Sequence, residues 1–172
     1  MTPFDQAFAV VVGHEGGFTK DPRDPGNWTG GAVGQGALHG TRWGISAASY
    51  PALDIAALTA NEARVIYRRD YWDRVSGNGL PPPLALLVFD AAVNAGVGRA
   101  AKWLQGAAGV KADGVIGPAT LGAVRAARAV DVCVEFSAMR LLFMAGLPTW
   151  RTFGPGWSRR LSRLPFEAME MR

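Results

Sequence analysis

The chain has one cysteine, two histidines and no uninterrupted apolar run long enough to cross a bilayer. Each scarcity excludes a class of function. A lone Cys133 cannot form an intramolecular disulfide, and inside the apolar run VDVCVEFSAMRLLFM it reads as a small core residue rather than a nucleophile. With His14 and His39 the only imidazoles, zinc sites and Cys/His catalysis have little to draw on, and neither a metal nor an organic cofactor is expected. The longest apolar stretch, residues 129 to 147, is broken by Asp131, Glu135 and Arg140, short of the roughly 18 to 20 residues a membrane span requires. Strand-like alternation is also scarce, which predicts an almost wholly helical chain with at most a small hairpin. Clustered basic residues occur chiefly in GWSRRLSRL, which reads as one solvated helix face, so no nucleic-acid partner is expected. The start, MTPFDQAFAVVV, has no basic segment before its short apolar run, so a Sec signal is not expected and synthesis in the cytoplasm is.

What the chain does have is enough material for a core. With 172 residues, 49% of them hydrophobic, it can bury roughly 70% of the surface its unfolded form would expose, and a single all-α domain is the expectation. Its formal charge of +4 favours encounter with polyanions without choosing among them. Thr2-Pro3-Phe4-Asp5 is a capped helix start, and Phe4, Phe8, Val11 and Val12 give that helix one apolar face, with Gly16-Gly17 expected to end it and Glu15 in its last turn. Thr59-Ala60-Asn61-Glu62 is a capping box for a helix reaching about Trp72. LALLVFDAAVNAGVG is apolar on every side, as a helix at the centre of a core would be. Gly117-Pro118 opens another helix. A long helix is expected from about 130 to 145 and a short one around GWSRRLSRL.

Between the first two helices lies GHEGGFTKDPRDPGNWTGG, dense in glycine and proline, in which Glu15 is followed within ten residues by Asp21 and Asp24. Glycosidic bond cleavage needs a carboxylic acid to protonate the leaving oxygen and usually a second carboxylate on the other face of the sugar. A glutamate backed by Phe8, Val11 and Val12 would be partly desolvated and held protonated, while an aspartate in an open polar loop stays ionised. The bland reading is that Asp24 is an ordinary turn residue bonded to its own backbone, and that Glu15 merely sits against an unfavourable helix dipole.

More specific than this chemistry is a pattern. Glu15-Gly16-Gly17-Phe18, Asp21-Pro22-Arg23-Asp24-Pro25-Gly26 and Thr41-Arg42-Trp43-Gly44-Ile45 resemble, in order, the E-G-G-[YF], D-P-x-D-x-G and T-x-x-G-I elements of the glycoside hydrolase family 108 muramidases, phage-type lysozymes. The similarity continues through YWDRVSGNGLPPPLALLVFDAAVNAGVGRAAKWLQ, KADGVIGPATLGAV and FGPGWSRR, covering nearly the whole chain. The resemblance implies a lysozyme-like fold, with residues 1–97 as the catalytic region and 98–172 as a helical peptidoglycan-binding-like region packed into the same domain. It implies Glu15 as catalytic acid on the β-1,4 bond between N-acetylmuramic acid and N-acetylglucosamine, Asp24 as its partner and a threonine as third member. Here the chain departs from the pattern, because GGAVGQGALHG is inserted before T-x-x-G-I. Thr29 has the familiar distance from Asp24 and Thr41 the familiar flanks, which favour Thr41.

Other residues could contact sugar. Trp43 and Tyr71 offer aromatic faces, although large aromatics more commonly fill cores. Asp90 and Asn94, four apart on the apolar helix, share one face and form either a structural network or an N-acetyl-binding pair. The implied partner is bacterial peptidoglycan, met by a monomer in the periplasm after holin-type release or delivery by a phage-like particle. The competing expectation is a wall-binding or phage-particle structural protein that has kept the fold and lost the activity.

Overall fold

The computed structural model describes residues 1–13 and 17–171. Seven α-helices and one two-stranded sheet are the regular elements of any length among them, as an all-α chain with a small hairpin should show. The chain forms two compact units, one of Phe8–Tyr67 and one of Met1–Ala7 together with Arg68–Arg172. No helix among the described residues is long and apolar enough to cross a membrane.

Helix α1, Pro3–Val12, begins as its sequence demands. The Thr2 backbone N–H and hydroxyl both donate to the Asp5 carboxylate, at 2.9 and 2.7 Å, and the Asp5 N–H donates back to the Thr2 hydroxyl. This is a capping box with aspartate in place of glutamate, satisfying N–H groups that a helix start leaves open. The helix closes at Val12, earlier than the Gly16-Gly17 pair expected to end it, because Gly13 takes φ 67°, a left-handed conformation suited to a residue without Cβ. Glu15 lies outside the described residues, as do His14 and Gly16.

In the unit of Met1–Ala7 and Arg68–Arg172, five helices follow: α3 (Pro82–Ala95), α4 (Val97–Ala107), α5 (Pro118–Ala126), α6 (Ala129–Ala145) and α7 (Trp150–Met169). Helix α3 is the centre, with Leu84 through Ala92 buried without a break, as its all-round apolarity predicts. Residue 97, at the junction of α3 and α4, falls where those two helices pack on each other. Phe4, Trp72 and Phe89 form a ring cluster with centroids 5.5 to 6.1 Å apart, and all three are buried. Trp72 keeps its indole N–H satisfied on Asn78 Oδ1 at 3.0 Å, as a buried indole should.

Two features of this unit depart from expectation. Helix α7 runs for 20 residues through Pro155 and Pro165, where a short helix was expected. Each proline removes one helical hydrogen bond, and the helix is held nonetheless by Leu164 and Ala168, both buried, and by an Arg163–Glu167 pair at 2.6 Å. Arg140, expected only to interrupt an apolar run, is itself buried. Its Nη1 lies 2.6 Å from Asp90 Oδ2, and Arg160 of α7 donates to Asp90 Oδ1 through Nε at 3.0 Å and through Nη2. A buried charge is tolerable only when so paired, and the pairing joins α3, α6 and α7 at one point.

In the Phe8–Tyr67 unit, Thr59 and Glu62 form the predicted capping box of α2, Ala60–Tyr67, with Thr59 N–H and hydroxyl 2.9 and 2.7 Å from Glu62 Oε2. The chain then continues as a π turn, Arg68–Trp72. Strands β1 (Thr41–Arg42) and β2 (Ile45–Ser46) pair antiparallel, Thr41 opposite Ser46 and Arg42 opposite Ile45. Trp43 and Gly44 make the connecting turn at φ 53° and 71°, the positive pair that suits a two-residue hairpin. A side chain at Gly44 would stand 2.5 Å from the Tyr67 hydroxyl, so the position requires glycine twice over.

Candidate active site

Asp24 is exposed, and its Oδ1 accepts from the Gly26 N–H at 2.8 Å, capping the 3-10 turn Pro25–Asn27. This turn has two prolines and a glycine nearby in DPRDPG, residues that set turn backbone before any tertiary contact forms. Asp21, three residues earlier, is occupied differently. Arg23 donates to its carboxylate through Nε and Nη2, the latter at 2.7 Å, and through its backbone N–H at 2.9 Å. Those bonds hold the Asp21 carboxyl down at about 2.

The turn is fixed to the rest of its unit by a residue that sequence reasoning missed. Asn27 is fully buried. Its Nδ2 donates to the Asp21 carbonyl at 3.0 Å, its Oδ1 accepts from the Thr41 hydroxyl at 2.7 Å, and its carbonyl accepts from the N–H groups of His39 and Gly40, both at 3.0 Å. One residue thus ties the aspartate turn, the end of the inserted loop and β1 together. The side chain, which both donates and accepts, joins the aspartate turn to β1, and the backbone carbonyl holds the end of the inserted loop. The available signal was an asparagine directly after the Asp-Pro-Gly turn, ambiguous because asparagine is also an ordinary turn residue.

Thr41 therefore stands on the same hydrogen-bonded frame as Asp24. It also pairs with Thr19 through two backbone bonds of 2.9 Å. Gly40, just before it at φ 87°, has no room for a side chain: a Cβ would lie 2.4 Å from the Thr19 carbonyl oxygen and 2.7 Å from the Phe18 ring. Thr29 has another occupation. Its hydroxyl accepts from the Ala37 N–H at 2.8 Å, its own N–H donates to the Ala37 carbonyl, and Gly30 N–H reaches Gln35. Together with the Trp28–Leu38 bridge, these bonds close the inserted segment on itself as a compact loop.

Trp43 sits in the β1–β2 turn, half-buried, with its indole N–H on the Leu58 carbonyl at 3.2 Å and its own carbonyl accepting from the Tyr67 hydroxyl at 3.1 Å. Asp24, Thr29, Thr41 and Trp43 share the Phe8–Tyr67 unit. Tyr71, Asp90 and Asn94 belong to the other. Tyr71 is a half-buried member of the π turn. The Asp90 carboxylate is engaged by Arg140 and Arg160, while Asn94 is exposed and donates to the Asp90 backbone carbonyl at 2.7 Å rather than to its carboxylate. Asn94 thus bonds nearby backbone, and the Asp90 carboxylate an ion cluster. Among the described residues, no group of three His, Cys, Asp or Glu side chains is placed to hold a metal ion.

Comparison with known proteins covers the same ground. The glycosyl hydrolase 108 family profile matches residues 8–96, a span that contains every candidate residue from Glu15 to Asn94. The structure of SagA from Brucella abortus is similar over 98% of this chain and 94% of that one, at 36% sequence identity and a TM-score of 0.81. No curated protein matches the chain. A matching profile over the loop unit and α3, together with a similar structure over nearly the full length, establishes that the chain belongs to the glycosyl hydrolase 108 family and is a glycoside hydrolase for which peptidoglycan is the supported substrate.

Proposed function

We propose that the protein is a muramidase that cleaves the β-1,4 bond between N-acetylmuramic acid and N-acetylglucosamine, with Glu15 as the general acid. Protonation of the bridging oxygen by Glu15 lets the bond to the sugar's anomeric carbon break as an oxocarbenium-like centre develops. Asp24 then orients a water molecule toward that carbon or stabilises its positive charge, and Thr41 contributes a hydroxyl. Water supplies the new anomeric hydroxyl, and its second proton returns to a carboxylate.

The observation that carries this reading is the Asn27 frame, which holds the Asp24 turn and Thr41 by hydrogen bonds of 2.7 to 3.1 Å. Pre-set groups of this kind are what positioning in catalysis requires. Asp24 is exposed and keeps its second carboxylate oxygen apart from the cap it makes to Gly26.

Release of fragments from purified peptidoglycan sacculi tests the proposal, comparing wild type with Glu15→Gln. Loss of release with retained helical circular dichroism is expected. Equal release by the two would remove Glu15 from the mechanism. Mass analysis of the new ends checks the bond and the chemistry: reducing N-acetylmuramic acid is expected, whereas anhydro ends would mean a lytic transglycosylase and reducing N-acetylglucosamine a different bond.

A further inference from the structure

A polar cavity opens in the Phe8–Tyr67 unit, beside the strand that carries Thr41. It has a volume of about 450 Å³ and is lined by Lys20, His39 and the segment Pro51–Ala56. Lys20 follows Thr19, which pairs with Thr41, and His39 precedes Gly40 and Thr41 on the facing strand, so the backbone ladder sets both side chains at one mouth. His39 arrives there as part of the inserted loop, and its N–H is fixed on Asn27. The opposite wall is apolar, built of Pro51, Ala52, Leu53, Ile55 and Ala56. A second cation adjoins it, since Arg42 donates through Nη1 to the Ala56 carbonyl. Among the described residues of the lining the carboxylate is Asp54, whose Oδ1 accepts from the Ala57 N–H at 3.2 Å.

We propose that this cavity binds a carboxylate-bearing peptide attached to the glycan, so that the enzyme reads the peptide stem as well as the sugars. The inference rests on peptidoglycan being the substrate, because peptidoglycan is a glycan whose sugars carry short acidic peptides. The chemistry of the two walls fits such a group. Lys20 supplies a charge-assisted hydrogen bond to a carboxylate, His39 a second polar contact, and the aliphatic wall receives an alanyl methyl. A neutral oligosaccharide would leave the charge of Lys20 uncompensated, whereas a carboxylate pairs with it. The cavity gives the insertion a use: without that segment His39 would not stand at the mouth.

The test is a nuclear magnetic resonance titration of the full-length protein with muramyl dipeptide, which has one free carboxylate, and with its neutral methyl ester. Expected are amide shifts at Lys20, His39 and Ala52–Ala56 with the acid, and binding at least about tenfold weaker with the ester, the loss of one charge-assisted hydrogen bond. Lys20→Gln should weaken binding of the acid by a similar factor, and Lys20→Arg should restore it. Equal binding of acid and ester, shifts confined to other residues, or no shifts at all would overturn the proposal. Because muramyl dipeptide contains no glycosidic bond to cut, the result is independent of the sacculus assay. Shifts at the cavity with intact sacculi would sink the muramidase reading alone, and digestion of sacculi without such shifts would sink the peptide pocket alone.

Discussion

The two units of this protein are held together by different physics. The unit of Met1–Ala7 and Arg68–Arg172 is built on helices whose apolar faces meet, with Phe4, Trp72 and Phe89 in ring contact and nine consecutive residues of α3 buried. Burial of such side chains contributes roughly 1.5 to 3 kcal/mol each. The unit of Phe8–Tyr67 has less regular structure, the end of α1, α2 and a two-residue-per-strand hairpin; Ile45, Ile55, Leu58 and Ile66 give it a small apolar core, and its long loop is ordered by backbone and amide hydrogen bonds converging on Asn27. The lesson is that a loop can be made as definite as a helix bundle when a buried polar side chain satisfies several chain segments at once. Side chains meant for chemistry can then be displayed on the exposed rim without being spent on packing.

The sharpest way to break the first unit is through the buried charge cluster at Asp90. Asp90→Ala leaves Arg140 buried with no partner and is expected to destabilise the protein by about 3 to 5 kcal/mol, read as a drop in the chemical denaturation midpoint. Replacing Asp90 and Arg140 together by leucine and methionine should cost far less than Asp90→Ala, because no fully buried unpaired charge remains and Arg160, 41% exposed, can turn to water. If the double variant is as unstable as the single one, the pair is not what makes Asp90 indispensable.

In the second unit the corresponding change is Asn27→Ala. It leaves the Thr41 hydroxyl without its acceptor and the Asp21 carbonyl with only the Asp24 N–H of its two donors, at an expected cost of about 1 to 3 kcal/mol. Activity on sacculi should fall by about a hundredfold, since displacement of reacting groups by an ångström can cost that much. Thr41→Ser, which keeps the hydroxyl, should retain more activity than Thr41→Val, and Thr29→Ala should affect the inserted loop more than turnover. Full activity in Asn27→Ala would show that the hydrogen-bonded frame is unnecessary for catalysis.

This contrast also explains what was legible in the sequence. Both capping boxes, Thr2 with Asp5 and Thr59 with Glu62, are local patterns four residues long, and both formed as written. The all-round apolarity of α3 announced its central place. The Asp90–Arg140 and Asp90–Arg160 pairs span 50 and 70 residues of chain, so no local pattern could reveal them. Nor could composition show that Asn27 differs from any other turn asparagine, because its burial depends on β1 and the inserted loop closing over it. The length of α7 was hidden by Pro155 and Pro165, local signals to stop that tertiary packing overrode.

The two boxes allow a gentler comparison, one lying in each unit. Thr2→Ala and Thr59→Ala should each cost about 1 kcal/mol, whatever the surroundings, because a cap acts on its own helix start. Denaturation midpoints check this directly. A much larger loss for Thr59→Ala would mean that α2 has a greater part in ordering its hydrogen-bonded unit than the local cap implies.

The smallest effect belongs to Asp21. Its carboxyl is drawn from an ordinary 3.8 to about 2 by the Arg23 side-chain bond and then the Arg23 backbone N–H. A folded-state value below the unfolded one means that the ionised carboxylate stabilises the loop above about 3.8, and that this contribution is lost as pH falls through about 2. The pair is open to solvent, the Arg23 side chain being 88% exposed, so salt screens it and its weight in overall stability is slight. A readout confined to the loop is therefore needed: the Arg23 amide signal, followed from pH 5 to pH 1.5. Its midpoint should lie near 2, rise toward 3.8 in Arg23→Ala and vanish in Asp21→Asn. A midpoint of 3.8 in the wild type would mean that Arg23 does not hold Asp21 in solution, leaving the Asn27 bond to the Asp21 carbonyl as the anchor of that end of the turn.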